Sequence, residues 1–277
     1  MNIIAPILKN VSYQLVFTIG FIAAFGLIVG LLNRAFFALV GYRFGRIACI
    51  VTGFIGVPIH EIGHALFCVI FRHQITAIKL YQPNSADGTL GYVHHRYNPK
   101  SIYHQIGNFF IAYGPILFGS AMLLLLMYSL VPSLFQAFTK GSDFSQIQSV
   151  NIFSFEALKY VYGVTRGALI AFYSASELGG WRWWIFMIPA CSIALHMSLS
   201  VADMRASWAG LGFIVITLLI INTILYFVKL DTMTALTNYC LTAGAYILNF
   251  LTVSIVFSLI LFLLGVPIRI LRRLGGS

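Results

Sequence analysis

Apolar runs long enough to cross a lipid bilayer recur along this chain, separated by short polar or basic stretches. Six can be marked: Tyr13 to Leu32, Arg46 to Phe71, Gln105 to Leu130, Trp184 to Asp203, Trp208 to Val228 and Leu241 to Leu264. About 20 apolar helical residues span the ~30 Å hydrocarbon core of a membrane, so each run predicts a transmembrane helix. The pattern changes between the second and third runs, in AIKLYQPNSADGTLGYVHHRYNPKS. Residues there alternate around Ile78 to Tyr81, turn formers cluster at Pro83 to Gly88, and a second extended stretch runs from Thr89 to His95. Together they predict a short β-hairpin. The connection from Val131 to Arg182 has a polar part, Thr139 to Asn151, and a more apolar part, Phe153 to Tyr173, suited to lying along a membrane surface. Trp181-Arg182-Trp183-Trp184 reads as an interfacial anchor opening the fourth run.

Composition agrees with this pattern. With 60% hydrophobic and 9% charged residues and a mean hydropathy of +0.91, the chain does not describe a soluble globular domain. The fold class expected is an all-α polytopic membrane protein, with about six transmembrane helices and a short β-hairpin after the second. Its place is an integral, multi-pass position in a cell membrane. The net charge of +10 sits mostly beside apolar runs, which points to lipid headgroups and not to nucleic acid. Cys49, Cys68, Cys191 and Cys240 show no metal or disulfide spacing and read as small core residues. Asn222 and Asn249, each inside a run, read as interhelical hydrogen-bond partners. Six spans place both ends of the chain on one face. A count of nine basic residues on that face against eight opposite, with Arg269, Arg272 and Arg273 in the tail, makes it cytoplasmic.

The second run carries His60-Glu61-Ile62-Gly63-His64. A helix sets residues four apart on one face, so His60 and His64 can grip one metal ion, with Glu61 beside them as a base toward water. Ionisable side chains deep in hydrocarbon are expensive and persist mainly where they line a polar cavity or do chemistry. A catalytic zinc needs a third protein ligand and an open position. The second polar cluster, LHMSLSVADM, offers His196 or Asp203. On a straight helix these are separated by about 10 Å along the axis, so both cannot bind one ion unless the helix unwinds. His94 and His95 are a weaker accessory pair, because neighbours on a strand point to opposite faces.

These residues resemble the site-2 protease family of intramembrane zinc metalloproteases. The resemblance rests on HEIGH at 60–64 within a span, a hairpin directly after it, Gly114-Pro115 in the next span and a later acid at Asp203. It implies a Zn2+ cofactor held by His60, His64 and Asp203, with His196 as the alternative third ligand and Glu61 as the general base. It also implies hydrolysis of peptide bonds in a transmembrane protein or peptide within the lipid bilayer. The match covers residues 46–206 as a metalloprotease core, leaving 1–45 as a first span with its connection and 207–277 as two further spans and a basic tail. It departs from the family at Ser200-Val201-Ala202-Asp203-Met204, where Leu-Asp-Gly is usual, and at Phe118, where an asparagine often follows the Gly-Pro. Two other readings compete. One is a CAAX-processing type of membrane zinc protease with Glu177 as its glutamate ligand; the other is a non-enzymatic membrane protein, either an inactive client-binding relative or a metal transporter.

Overall fold

A computed structural model describes residues 3–86, 88–140, 155–228 and 230–274. Helix α1 (Ile4–Leu15), a π-helical turn (Val16–Gly20) and α2 (Phe21–Val40) run end to end as one apolar rod. The rod stops at Gly41, whose φ of +82° suits a residue without a Cβ. Then come α3 (Tyr42–Ile70), strands β1 (Gln74–Lys79) and β2 (Tyr92–Arg96), and α4 (Ile102–Leu130). The remainder is α5 (Pro132–Lys140), α6 (Phe155–Tyr173), α7 (Trp181–Leu195), α8 (Val201–Val228) and α9 (Leu230–Leu274). Among the described residues, five helices are long and apolar enough to cross a membrane: the Ile4–Val40 rod, α3, α4, α8 and α9. Helix α7 is apolar but has only 15 residues.

The expected helix over Trp184 to Asp203 is two elements. Helix α7 ends at Leu195, residues 196–200 are not helical, and Asp203 lies in the first turn of α8. Both sides of this break are built by side chains. Asn33 on α2 donates Nδ2–H to the carbonyls of Ala194 (2.7 Å) and Leu195 (3.3 Å), which a continuing helix would need for its own ladder. Ser200 and Asp203 then cap the new helix reciprocally: Ser200 N–H and Oγ–H donate to Asp203 Oδ2 at 2.9 and 2.5 Å, and Asp203 N–H donates to Ser200 Oγ at 3.1 Å.

Close backbone approaches set the helices around this break. A Cβ at Gly63 on α3 would lie 2.8 Å from the backbone of Gly114 and Pro115 on α4, and one at Gly56 would collide with the Ser192 carbonyl on α7. A Cβ at Gly210 on α8 would meet Phe109 N and the Gln105 carbonyl at the start of α4. Helices α7 and α8 therefore advance in one direction past α3, from the level of Gly56 to the start of α4.

The start and end of the chain's helices are related differently from the six-span expectation. Helix α9 runs parallel to the α1–α2 rod. Near its start, Thr237 and Asn222 of α8 bond Gln14; further along, Gly244 meets Phe17 and Gly265 meets Leu39. At its end Arg272 donates to the carbonyls of Leu39 (3.3 Å) and Val40 (2.6 Å). The basic tail thus sits at the α2–α3 connection and at the opposite end of the bundle from Ile70 and Ile102. The cause is the broken segment, since α7 and α8 together make one traverse where two were expected.

The hairpin forms as expected, antiparallel from Gln74↔Arg96 to Lys79↔Tyr92 with an irregularity between Ile75 and Ala77. It does not extend away from α3 but turns back along it. Tyr81 Oη–H donates to the Ile50 carbonyl at 2.5 Å, and Gly91 faces Val57 and Glu61. The helix between Ile50 and Phe71 is roughly 30 Å long at 1.5 Å per residue, so the hairpin follows α3 for much of its length.

Candidate metal centre

Pro58 and the small residues Gly53, Gly56 and Gly63 let α3 be approached on three sides, by the hairpin, α7 and α4. His60 and His64 lie on the same face of α3, and each uses one ring nitrogen to anchor itself. His60 Nδ1–H donates to the His196 carbonyl at 2.6 Å, and His64 Nδ1–H donates to the Ile111 carbonyl at 2.7 Å. A carbonyl oxygen only accepts, so both Nδ1 atoms carry a hydrogen, and a neutral ring so placed turns a bare Nε2 lone pair toward the other. These two lone pairs stand 3.2 Å apart. Asp203 Oδ1 lies 3.6 Å from His64 Nε2, and one donor atom from each of the three residues falls within 4.8 Å of the others. Bare acceptors converging at this range repel one another unless a cation lies among them.

The donor set fits a divalent metal. Two imidazole nitrogens and a carboxylate oxygen make a three-ligand set that leaves a fourth position open, and backbone carbonyls behind each ring fix tautomer and orientation. The remaining oxygen of Asp203 is held by the Ser200 cap, which aims the carboxylate.

Glu61 is buried on the adjoining face of α3, and its carboxylate lies against Gly91, where a Cβ would come within 2.9 Å of Oε1. A cavity of about 450 Å³ opens onto His60, Glu61, His64 and Asp203, and is bordered also by Asn108 of α4 and His95 of β2. Asn108 is buried and donates Nδ2–H to Gln105 Oε1 at 3.2 Å. The Gly114-Pro115 step supplies the close seat for Gly63, and so sets the depth at which α4 presents the Ile111 carbonyl to His64.

Of the expected site residues, the fold brings together His60, His64, Asp203 and Glu61. It does not bring the His196 imidazole. That ring turns toward α3 higher up, with Nε2 3.0 Å from Thr52 Oγ1, while the His196 backbone carbonyl is what serves the site. Glu177 is engaged elsewhere, accepting from Ser133 N–H at 3.0 Å and from Ser133 Oγ–H at the start of α5. Asn222 is an interhelical partner, in a reciprocal pair with Gln14 at 3.1 and 2.7 Å. The side chains of Asn249 and Glu156, and most of the polar stretch Thr139 to Asn151, lie outside the described residues. Reading the sequence did not single out Asn33, His73 or the cap role of Ser200. The last had a signal, because Ser200-x-x-Asp203 ahead of an apolar run is a helix-start pattern.

No family model, no curated relative and no solved structure matches this chain.

Proposed function

We propose that this chain is a multi-pass membrane protein acting as an intramembrane zinc metallopeptidase, with His60, His64 and Asp203 as the metal ligands and Glu61 as the general base. The observation that carries this reading is the pair of bare Nε2 atoms 3.2 Å apart, both rings pinned through Nδ1, with a carboxylate oxygen beside them and a second carboxylate on the same cavity. Zinc held by His60, His64 and Asp203 would supply Lewis acidity toward a water and a peptide carbonyl, with the pKa of such a water lowered toward about 7. Glu61 accepts the proton from the attacking water and returns it to the departing amide nitrogen. Asp203 and the two histidines are kept in place by the Ser200 cap and the carbonyls of His196 and Ile111.

The non-helical residues 196–200 are consistent with this reading. Irregular backbone at membrane depth is tolerated where it is enclosed by protein or lines a wet cavity, and the cavity here is bordered by Ser200, Ala202 and Asp203. Substrate would be a transmembrane segment that has partly unwound, since a helical amide is already hydrogen-bonded. Strand β2 borders the cavity and, among the described residues, is paired only with β1, so an extended segment can pair along its other edge.

The test is metal content and cleavage in detergent-purified protein. One zinc per chain is expected in wild type and in Glu61→Gln, with cleavage of a transmembrane peptide abolished in Glu61→Gln. Loss of zinc is expected in His64→Ala and Asp203→Ala, and retention in His196→Ala. Full cleavage by Glu61→Gln, or no zinc in folded wild type, would sink the reading, the latter in favour of a client-binding, non-enzymatic protein.

A further inference from the structure

A second histidine pair lies beside the first, and its hydrogen positions can be worked out. His73 is buried in the turn between α3 and β1, with Nε2 3.0 Å from the His104 carbonyl of α4. The carbonyl accepts, so His73 carries its ring hydrogen on Nε2 and its Nδ1 is bare. That bare Nδ1 is 3.0 Å from His95 Nδ1, so His95 must be the donor and carries its hydrogen on Nδ1. With both rings neutral, this chain of partners leaves His95 Nε2 as the unprotonated nitrogen. Tyr97 stacks on His73, with centroids 4.9 Å apart and 17° between planes, and holds that ring flat.

His95 borders the cavity shared by Glu61, His60, His64 and Asp203. Its ring is also kept neutral. Burial, then the neighbouring His73, His64 and His94, push its pKa down from 6.5 to about 4, and burial likewise lowers His73. His95 therefore offers a hydrogen-bond acceptor without competing for the proton that Glu61 handles.

Resting on the peptidase reading above, we propose that His95 is a catalytic residue whose Nε2 accepts a hydrogen bond from the scissile nitrogen as that nitrogen leaves, with His73 as its positioning residue. In the reaction a carbon–oxygen bond forms from water and the carbon–nitrogen bond breaks. Glu61 moves the water's proton to the nitrogen, and His95 takes no proton. As the amide becomes an amine its nitrogen pyramidalises, gains a hydrogen and develops positive charge. A hydrogen bond from it to neutral imidazole thus strengthens between ground state and transition state, which is the condition for raising kcat. The acceptor is useful only to a leaving group that bears hydrogen, so the substrates this residue serves are amides and not esters.

The experiment compares wild type, His95→Phe and His73→Phe on a transmembrane peptide and on its ester analogue, with oxygen replacing the scissile N–H. His95→Phe is expected to lower kcat on the amide by about 10- to 100-fold, the worth of one charge-assisted bond, with the ester rate, KM and zinc content little changed. His73→Phe, which frees the tautomer, is expected to fall between the two on the amide. Equal losses on amide and ester would make His95 structural, and no loss on the amide would also overturn the proposal. Nitrogen-15 imidazole spectra of zinc-loaded protein give a reading independent of activity: His95 with hydrogen on Nδ1 and bare Nε2 supports it, and hydrogen on Nε2 overturns it. If wild type cleaves neither substrate, the peptidase reading itself has failed; if wild type cleaves and His95→Phe matches it, only the role of His95 has.

Discussion

Gly63 is the residue on which the site's geometry most directly depends. It lies inside the HEIGH motif, where the sequence presents it as a spacer between the two ligands. In the fold it is where α3 and α4 touch, and a methyl group there would press on the Gly114 and Pro115 backbone at 2.8 Å. Backbone cannot move aside as a side-chain tip can. Gly63→Ala is expected to cost about 1–3 kcal/mol, read as a lower thermal midpoint in detergent, and to weaken zinc binding because His64 is seated through the Ile111 carbonyl of the same α4. Gly212→Ala on α8 is the matched control. A Cβ there meets nothing within 4 Å, so that variant is expected to be neutral or more stable by up to ~1 kcal/mol. At this scale the sequence was highly legible for His60, Glu61 and His64, because one helical turn fixes their spacing. It left the choice between His196 and Asp203 open, because that depended on where a helix stopped. Ser200 could have decided it: its cap sets Asp203 at a helix start, with one oxygen held and the other turned toward His64.

Among the elements, the break between α7 and α8 is held by Asn33, which lies some 160 residues away along the chain. Within Trp184 to Asp203 the local signs are the polar residues His196, Ser198, Ser200 and Asp203 and the helix-start pattern at Ser200, which mark where α8 begins but not that α7 ends at Leu195; the proline lies earlier, at Pro189 within α7. Only the packed fold shows a partner for the Ala194 and Leu195 carbonyls. Asn33→Leu removes that partner and leaves both carbonyls buried, at a cost of about 1–3 kcal/mol. It also loosens the His196 carbonyl that anchors His60, so zinc affinity should fall about 10-fold or more, measured by chelator competition. The hairpin carries a pH prediction. His95 takes up a proton near 6.5 when unfolded but only near 4 when docked, so between these values the undocked state binds more protons. Docking is therefore fully stable above about pH 6.5 and weakens as pH falls toward 4. Protection of the Gln74–Arg96 amides, taken as the exchange rate relative to the intrinsic rate at each pH, should fall from pH 7.5 to pH 5 in wild type and much less so in His95→Phe. That hairpin was legible from alternation and turn residues, whereas its return along α3 was not, because it depends on Gly53 and Gly91 admitting Tyr81 and the β2 backbone.

For the whole molecule, reading each apolar run as a separate crossing led to six spans with both ends of the chain on one face, and the packing of α9 against the α1–α2 rod gives a different arrangement. Hydropathy registers length and polarity but not direction, so it could not show that α7 and α8 proceed the same way across a gap of five residues, 196–200. The pairing of Arg272 with the end of α2 is what fixes direction, because a guanidinium bonded to the Leu39 and Val40 carbonyls ties the last turns of α9 to the α2–α3 connection. Among the described residues, five traverses of the bundle follow: the rod, α3, α4, the broken α7–α8 pair, and α9. In a membrane this arrangement makes a sided prediction. With Cys49, Cys68, Cys191 and Cys240 replaced, single cysteines at Tyr42 and Leu274, which are 85% and 80% exposed, should react with an impermeant thiol reagent from the same side, and a cysteine at Tyr103, 47% exposed, from the other. Six separate crossings would instead put Leu274 with Tyr103. The outcome bears on the site as well as on topology, because only the five-traverse arrangement leaves 196–200 as an interruption within one traverse, where the unwound segment sets the first turn of α8, and with it the Asp203 carboxylate, in the middle of the bundle beside His64.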